Sequence, residues 1–400
     1  MKIEQQHIDQ IRQRFASMQS KEELLALLNE AKNIFYKKEC KPFNLKSLTY
    51  YANPELCKKR YAQFTVKKKS GGERVINAPV GGLKSILIVL NFILQCMYEP
   101  HNAATGFVLD KSIVDNAKIH VGSHHVFNLD LKDFFHSFDR NRVKMGFISE
   151  PFLLNGVREP LAFLLASLCT HPFEVNGETK TVLPQGSPTS PTITNILCKK
   201  LDRRLTGLAK RFGAKYSRYA DDITFSSFQN IYNNPDFKKE LERIISEDNL
   251  LTINGKQVEF GPKLNINPNK TRLQKSVHRQ EVTGLIVNEK ANVRQRYVKK
   301  IRMWLHYWEK YGYAKAEQIF TRDYIADKGH VKKGKPNLDN VLDGKLEFLK
   351  MVKGSEDSTY LSLKKRFDKL NGTENSVNSV LDIWEKDGID NAMEVFNKLK

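Results

Sequence analysis

The stretch SRYADDITFS, residues 217–226, places two adjacent aspartates, Asp221 and Asp222, between an aromatic residue and an apolar run. Its apolar and β-branched residues are typical of a buried strand. Packing gives no reason to set two like charges side by side in such a strand. Either the pair lies in a solvated turn or a strongly positive group compensates it, and the rest of the sequence has to decide.

A second acidic segment narrows the choice. The stretch VFNLDLKDFF, residues 126–135, also reads as an apolar strand, and it carries Asp130. Carboxylates brought together from two strands raise each other's pKa unless a cation lies between them. Mg²⁺ suits such oxygen ligands, and a pair of these ions serves the attack of a hydroxyl on phosphorus. The two segments therefore indicate phosphoryl transfer, although an isolated pair of aspartates is more often part of a turn.

The composition indicates a folded chain with a polyanionic partner. At 400 residues the chain exceeds the usual size of one hydrophobic core, so two or more subdomains are expected. The 65 Lys and Arg residues outnumber the 45 Asp and Glu residues, which gives a net charge of +20. Nucleic acid is the commonest partner of such a chain, and a merely basic, solvated surface is the less expected alternative.

The sequence predicts neither a secreted nor a membrane protein. The five cysteines are scattered without a CxxC pair, which argues against a zinc module or a disulfide framework and fits a reducing cytoplasm. The N-terminus shows no apolar signal region. The longest apolar run, residues 85–98, is too short to span a bilayer and predicts a buried helix.

The order of elements predicts a mixed α+β core followed by helices. Residues 1 to about 40 read as helical with Ser20 as a cap, and residues 61–79 read as two strands joined at a Gly-Gly turn. Strands and helices then alternate to about residue 290. A polar loop is expected over LPQGSPTSPTITN, residues 183–195, and an almost wholly helical chain from residue 293 onward.

Four motifs, in order, resemble those of reverse transcriptases. They are NLDLKDFF at residues 128–135, LPQGSPTSP at 183–191, YADD at 219–222 and NPNKTRL at 267–273. Two shorter motifs resemble hallmarks of the bacterial retron enzymes, NAKIH at 116–120 and VTG at 282–284. The resemblance covers roughly residues 55–350, and it makes a retron-type reverse transcriptase the leading hypothesis.

The resemblance implies a right-hand polymerase fold. Its parts would be fingers, a palm built on an antiparallel sheet flanked by helices, and a helical thumb. The implied division is an N-terminal helical region over 1–54, fingers and palm over 55–290, a thumb over 291–354 and a helical C-terminal extension over 355–400. The extension reaches past the compact thumb expected for the family, which leaves its role open, with a protein partner as one alternative.

By the same resemblance, Asp130, Asp221 and Asp222 would hold two Mg²⁺ ions, with Asp222 making the weakest contact. Lys270, from the NPNKTRL motif, would protonate the departing pyrophosphate. A plain phosphate contact is the alternative for this lysine.

The incoming deoxynucleotide would contact residues from three segments. The ring of Phe135 would clash with a ribose 2′-hydroxyl and so select deoxynucleotides, with a core aromatic as the alternative. Gln185 and Gly186 would lie beneath the nucleotide, where glycine allows close approach. Arg74 and Lys69, or one of the two lysines before Lys69, would grip the triphosphate.

Contacts with RNA and DNA are implied around the two retron motifs and on the first thumb helix, whose basic residues suit a template–primer duplex. For His120 a hydrogen-bonded structural histidine is the alternative. The stripe of Tyr297, Ile301, Trp304 and Trp308 is expected to be core. The implied nucleic-acid contacts are Asn116, His120, Thr283, Gly284, Arg294, Arg296, Lys299 and Lys300.

The resemblance implies a cytoplasmic RNA-directed DNA polymerase that copies part of its own structured noncoding RNA into a short single-stranded DNA. Priming from a guanosine 2′-hydroxyl would leave a branched RNA–DNA molecule. Many members act in anti-phage defence with a separate effector protein. Two alternatives stay open, another bacterial reverse transcriptase with different priming and a non-catalytic nucleic-acid-binding scaffold, whereas Phe135 disfavours an RNA-dependent RNA polymerase.

Overall fold

The computed structural model describes residues 4–67, 72–175, 177–253, 256–328 and 337–372, together with residues 384, 388, 389, 391 and 393. The chain divides into two units, Met1–Thr283 and Gly284–Lys400. This division lies close to the predicted end of the palm at residue 290. Neither of the other predicted boundaries, at residues 54 and 354, coincides with a division between units, and both stay predictions.

The first unit combines strands and helices, which confirms the mixed α+β class. Its strands are β1 (Tyr61–Lys67), β2 (Glu73–Pro79), β3 (His125–Asp130), β4 (His171–Val175), β5 (Glu178–Val182), β6 (Lys215–Tyr219), β7 (Asp222–Ser227), β8 (Leu250–Ile253), β9 (Lys256–Glu259), β10 (Arg272–Lys275) and β11 (Glu281–Val282). Its helices are α1 (Gln5–Ser17), α2 (Lys21–Tyr36), α3 (Leu45–Ala52), α4 (Gly81–Met97), α5 (Ile113–Ile119), α6 (Arg140–Ile148), α7 (Glu159–Cys169), α8 (Ser190–Leu197), α9 (Lys199–Arg211) and α10 (Pro235–Ser246). Short 3₁₀ turns lie at Phe134–Ser137, Gly156–Arg158 and Pro268–Lys270.

An antiparallel sheet with the strand order β10-β3-β7-β6 lies at the centre of this unit. A two-residue turn at 220–221 joins β6 to β7, and residues 215–227 are called the acidic hairpin below. Strands β1–β2, β4–β5 and β8–β9 form separate hairpins. The predicted pair of strands over residues 61–79 is therefore confirmed.

The alternation of side chains along the strands places apolar residues on one face of this sheet and the acids on the other. Phe127 and Phe225 are paired in register, and their rings contact those of Tyr232 and Phe237 respectively. Side chains an odd number of positions from these two phenylalanines point to the opposite face. Asp130, at the end of β3, and Asp222, at the start of β7, are such residues, and they pair with each other. Apolar packing on one face thus fixes these acids to the other.

The helices form for local reasons that the sequence largely displays. Ser20 caps α2 by accepting a hydrogen bond from the backbone N–H of Glu23, as predicted. Helix α4 is buried around most of its circumference, which confirms the helix predicted from its apolar run. Burial of each such leucine or isoleucine side chain contributes about 1.5–3 kcal/mol.

The loop predicted over residues 183–195 is wrong in its second half. Helix α8 begins at Ser190, and Pro191 occupies its first turn, where the missing N–H removes no helical hydrogen bond. Thr192, Ile193 and Thr194 are buried in the interior. Tertiary packing therefore overrides the modest helix propensity of these β-branched residues.

The second unit contains β12 (Leu285–Ile286), α11 (Gln295–Lys328), α12 (Leu338–Lys353) and α13 (Ser358–Leu370). Helix α11 is broken at Gly312, whose φ of 73° suits glycine. Ile301, Trp304 and Trp308 are buried, which confirms three members of the predicted stripe as core, while Tyr297 is half-buried. Most of the predicted extension after residue 372 lies outside the described residues. Among the described helices, none has both the length and the apolarity that crossing a bilayer requires.

Candidate active site

Three acidic side chains come together at one end of the sheet. Asp130 is the last residue of β3 and pairs in register with Asp222, the first residue of β7. Asp221 lies in the turn of the acidic hairpin, and its carbonyl accepts a hydrogen bond from the backbone N–H of Leu131, with an N···O distance of 3.1 Å. The fold therefore brings together the three residues that the sequence predicted as metal ligands.

The negative charges of this cluster are only partly compensated. Burial raises the pKa of Asp221 and Asp130 adds to the rise, while a backbone hydrogen bond, Lys270 and Arg74 oppose it. Burial, together with Asp221 and Asp130, raises the pKa of Asp222 to about 6, although solvent reaches its side chain. A raised pKa means that the ionised carboxylates are destabilised where they stand, and a nearby cation would relieve this.

Lys270 forms an ion pair with Asp130. Its Nζ donates to Oδ1 at 2.7 Å, and Asn267 Nδ2 donates to Oδ2 at 3.3 Å. Burial lowers the pKa of Lys270, but the hydrogen bond to Asp130 and the charges of the three acids outweigh it, so that the pKa is raised. Lys270 is therefore protonated at neutral pH, as either of its predicted roles requires, and the choice between them stays a prediction.

The donor set suits a hard divalent cation. Asp130, Asp221 and Asp222 offer carboxylate oxygens, the ligands that Mg²⁺ prefers. Within the described ranges, no three acidic, histidine or cysteine side chains are arranged closely enough to hold an ion as they stand. In this arrangement the Lys270 ammonium lies against Asp130 and supplies positive charge there. The two Mg²⁺ ions stay a prediction.

Phe135 belongs to a row of aromatic rings that reaches the acidic hairpin. It is half-buried, its ring centroid lies 6.3 Å from that of Phe107, and the Phe107 centroid lies 6.5 Å from that of Tyr219. The neighbouring Phe134 is buried in the core. Phe135 also packs against the core, and its ring centroid lies 5.7 Å from that of Phe134, so the steric gate and the core alternative both stay predictions.

The predicted triphosphate contacts lie on the β1–β2 hairpin. Arg74 is exposed on β2, opposite Val66, and its charge lowers the pKa of Asp221. Lys69 lies outside the described residues. Its predicted contact with the triphosphate stays a prediction.

The loop that carries Gln185 and Gly186 packs against β2. The backbone N–H of Asn77 donates to the carbonyl of Gln185 at 2.8 Å. Gly186 has a φ of 126°, and a Cβ placed there would lie 2.7 Å from the carbonyl oxygen of Asn77. The close approach that glycine allows is thus made by a protein strand in this structure, and the nucleotide contacts stay predictions.

Sequence reasoning missed a buried ion pair beneath the acidic hairpin. Arg218 of β6 donates from Nε and Nη2 to the two carboxylate oxygens of Asp202 in α9, at 2.8 and 2.7 Å. Both side chains are fully buried. Arg218 also donates from Nη1 to the carbonyl of Ala220 at 3.1 Å, and Ala220 has a left-handed φ of 60°. The pair therefore anchors the turn residue that precedes Asp221.

Asn116 and His120 lie inside the protein, with exposed fractions of 1% and 0%. His120 Nδ1 lies 2.8 Å from Ser226 Oγ and its Nε2 lies 2.7 Å from Ser217 Oγ, so the ring bridges both strands of the acidic hairpin. Burial, aided by the charge of Lys215, lowers the pKa of His120 to about 3. His120 is therefore the neutral structural histidine of the alternative interpretation, and its predicted contact with nucleic acid is corrected.

Asn116 supports the same hairpin through Thr105. Thr105 Oγ1 donates to Asn116 Oδ1 at 2.7 Å, and the backbone N–H of Thr105 donates to the carbonyl of Arg218 at 2.9 Å. Because Asn116 is enclosed by these contacts, its predicted contact with nucleic acid is also corrected. The NAKIH segment, residues 116–120, thus supports the acidic hairpin from within.

The other predicted nucleic-acid contacts are accessible or partly so. Thr283 is half-buried and donates from Oγ1 to the carbonyl of Ile113 at 3.2 Å, and Gly284 is exposed; both have positive φ, 48° and 85°. The basic residues of the second unit are exposed or half-buried, and their contacts stay predictions. They are Arg294, Arg296, Lys299 and Lys300.

Residues 66–287, more than half of the chain, match the family described as reverse transcriptase (RNA-dependent DNA polymerase). This segment contains all three acids and Lys270.

Curated proteins named as retron reverse transcriptases are similar to this chain. The Retron Mx162 reverse transcriptase of Myxococcus xanthus is 36% identical over 62% of this chain and 52% of its own length. The Retron Mx65 reverse transcriptase of the same species is 34% identical over 74% of this chain and 62% of its own length. The Retron Ec86 reverse transcriptase of Escherichia coli is 32% identical over 62% of this chain and 70% of its own length. The chain thus spans between half and two thirds of the two Myxococcus proteins.

Proposed function

Because this chain belongs to the reverse transcriptase family and is similar to retron members of it, we propose that it is an RNA-directed DNA polymerase. It copies part of a cognate structured noncoding RNA into a short single-stranded DNA. The observation that carries this proposal is the meeting of Asp130, Asp221 and Asp222 beside Lys270 at one end of the sheet. Such a group of acids and a cation suits the transfer of a nucleotidyl group to a hydroxyl.

In this proposal the sheet β10-β3-β7-β6 is the palm, the β1–β2 hairpin belongs to the fingers, and α11 and α12 form the thumb. The antiparallel sheet with helix-covered apolar face supports the palm assignment. The exposed position of Arg74 on β2 and its effect on the pKa of Asp221 support the fingers assignment.

Reverse transcriptases generally use divalent metal ions, and we propose two Mg²⁺ ions held by Asp130, Asp221 and Asp222. Bound ions would lower the pKa of the attacking 3′-hydroxyl and stabilise the pyrophosphate. The chain's own contribution is to hold the three carboxylates together and to keep Lys270 protonated beside them. Lys270 then either gives its proton to the leaving group or holds a phosphate.

The substrates and partners of the proposal follow from the site and the family. Deoxynucleotides are selected by the half-buried ring of Phe135, and Arg74 binds their phosphates. The cognate RNA acts as template and as primer through a 2′-hydroxyl, which leaves a branched RNA–DNA product. A role in anti-phage defence with a separate effector protein, in the cytoplasm, completes the proposal.

The test uses cells that express the gene with its native flanking DNA. Total nucleic acid is separated before and after RNase treatment, from the wild type and from the Asp221→Ala, Asp222→Ala double variant. A discrete small DNA that shifts on RNase treatment and is lost in the double variant is the expected result. A matched variant, Glu55→Ala with Glu99→Ala, changes two exposed acids away from the cluster and should leave the DNA unchanged.

Other outcomes separate the parts of the proposal. A DNA that never shifts on RNase treatment would leave reverse transcription standing and remove the branched product. No DNA in any strain, together with no extension of a generic primed RNA template by the purified protein, would favour the non-catalytic scaffold.

A further inference from the structure

The end of the sheet that lies opposite the acidic cluster carries an ordered row of exposed side chains. Strand β3 starts at this end, β7 and β10 finish there, and β6 starts there. Reading along the strand order gives Lys275 at the end of β10, His124 before β3, Phe228 after β7 and Lys215 at the start of β6. These four residues are called the basal row, and all four are exposed.

The two inner members of the basal row form an aromatic pair. The rings of His124 and Phe228 contact edge to face with centroids 5.2 Å apart, and Phe228 is 62% exposed. The loop that follows β10 is tied to His124, because the backbone N–H of Ser276 donates to the His124 carbonyl at 2.8 Å. The same loop carries Val277, which is 80% exposed. The aromatic pair is thus an exposed surface that backbone contacts hold in place.

The two outer members are cations on opposite faces of the sheet. Lys275 pairs in register with His125, and Lys215 pairs with Ser226. His125 and Ser226 point to opposite faces of the sheet, so the two lysines do so as well. Three strand spacings separate the lysines, about 14 Å across the sheet. Among the described residues, no carboxylate lies within ion-pair distance of either Nζ. The aromatic pair is therefore flanked by two uncompensated positive charges.

From this arrangement we propose that the basal row binds an unpaired segment of the RNA partner. Exposed aromatic rings stack bases, and flanking lysines neutralise phosphates, which is the composition of single-strand binding surfaces. The row lies one strand length, about 17 Å, from Asp130 along β3, so it is separate from the place where a nucleotide would be added. The inference rests on the proposed function, since a structured RNA that is only partly copied has segments to be held away from the active site.

The test measures binding of a short labelled single-stranded RNA to the full chain by fluorescence anisotropy. A saturating blunt RNA–DNA duplex is present to occupy the polymerase site. The Phe228→Ala, His124→Ala variant should bind the RNA at least about tenfold more weakly, because base stacking is lost. The Phe228→Tyr variant keeps a ring and should bind as the wild type does. Phe163→Ala removes a comparably exposed ring on α7 and should also have no effect.

The lysines are tested through the salt dependence of the same binding. Lys215→Gln and Lys275→Gln should each lower the slope of log affinity against log salt by about 0.7, the value for one phosphate on a single strand. Lys38→Gln and Lys46→Gln, both exposed near the N-terminus, should leave the slope unchanged.

Three results would overturn the inference. RNA affinity equal to the wild type in the Phe228→Ala, His124→Ala variant would do so, and this is the result expected if the row docks a protein. An equal loss of affinity for DNA of the same sequence would remove the assignment to RNA. Slopes unchanged in both lysine variants would remove the phosphate contacts. Primer extension is measured separately, so a wild type that extends no primer would defeat the proposed function while the titration still decides the row.

Discussion

The carboxylates at the tip of the acidic hairpin and the one beneath it are held in two different ways. Beneath it, Asp202 is fully buried and bonded through both oxygens to Arg218. At its tip, burial and the neighbouring acids raise the pKa values of Asp221 and Asp222, and nearby cations such as Lys270 offset this rise only in part. A compensated buried acid holds the backbone in place, whereas a partly compensated pair at a turn is prepared to receive positive charge. The difference separates the support of the site from the site itself.

The largest effect is expected where the compensated pair is broken. Asp202→Asn leaves the Arg218 guanidinium buried without a counter-ion, and the free energy of unfolding should fall by about 3–5 kcal/mol. Urea denaturation measures this. Asp222→Asn is the same chemical change at the tip and serves as the control, since it removes a carboxylate that the fold destabilises. Equal losses in the two variants would erase the distinction between support and site.

The second prediction concerns activity at the tip. Asp221→Asn should slow primer extension on an RNA template at least about 100-fold, because several kcal/mol of charge stabilisation are removed. Its unfolding free energy should not fall, since burial already disfavours the charged form. Single-turnover extension and a urea titration on the same preparation test both halves. The control is Glu99→Gln, at an exposed acid two residues after α4. A strong loss of stability in Asp221→Asn would contradict the comparison.

Lowering the pH should reduce the stability that His120 contributes and increase the stability that Asp222 contributes. The pKa of His120 is about 3 in the fold and about 6.5 in the unfolded chain, so its stabilisation is present above pH 6.5 and is lost as the pH falls, by roughly 2 kcal/mol at pH 5. The pKa of Asp222 is raised to about 6, so its stabilisation is present below about pH 4 and is lost as the pH rises through 6. Solvent screening keeps that second effect near or below about 1 kcal/mol.

Unfolding curves between pH 7 and pH 5 test these signs. The His120→Gln variant, which removes the titrating ring, should lose less stability on acidification than the wild type. The Asp222→Asn variant should lose slightly more. Identical pH dependence in all three proteins would show that neither group contributes.

The smallest effect is expected at Thr105, which contacts the acidic hairpin through Arg218. Thr105→Val removes the hydroxyl, which lies within hydrogen-bond distance of Asn116 Oδ1 and of the Arg218 carbonyl, and this should cost about 1–2 kcal/mol of unfolding free energy. The backbone hydrogen bond of Thr105 to Arg218 remains, so primer extension per folded molecule should stay near the wild-type rate. Thr192→Val, another buried threonine, is a suitable reference for the change of side chain. A loss of activity without a loss of stability would place Thr105 in the site rather than its support.

The residues that reach the tip were predictable, because local signals mark them. Asp130 and Asp221 each interrupt an apolar strand pattern, and that interruption is visible without knowing what the strands touch. Strand pairs and the buried helix followed from alternation and apolar runs in the same way. The first strand hairpin and the helix α4 are therefore where prediction and structure agree.

The buried residues that support the acidic hairpin were not predictable, because their role depends on which residues meet in space. Asp202 carries a signal, since it interrupts the apolar face formed by Leu201 and Leu205 on α9, and a charge on such a face needs a partner. Nothing local identifies Arg218 as that partner. His120 fails for the same reason, because a short motif does not tell whether its histidine faces solvent or two serines of a neighbouring hairpin.

The two-residue turn of the acidic hairpin makes chain length itself a requirement of the site. Tyr219 and Asp222 are paired directly across the turn, and Asp222 in turn pairs with Asp130, so there is no slack between β6 and β7. Side chains alternate with a period of two, so one residue inserted into β7 before Ile223 would rotate Asp222 away from Asp130 or push Phe225 off its apolar face. An insertion there would separate the acids of the site while leaving every acidic residue in the sequence. A sequence can therefore keep every residue of its motifs and still lose the strand register on which the site depends.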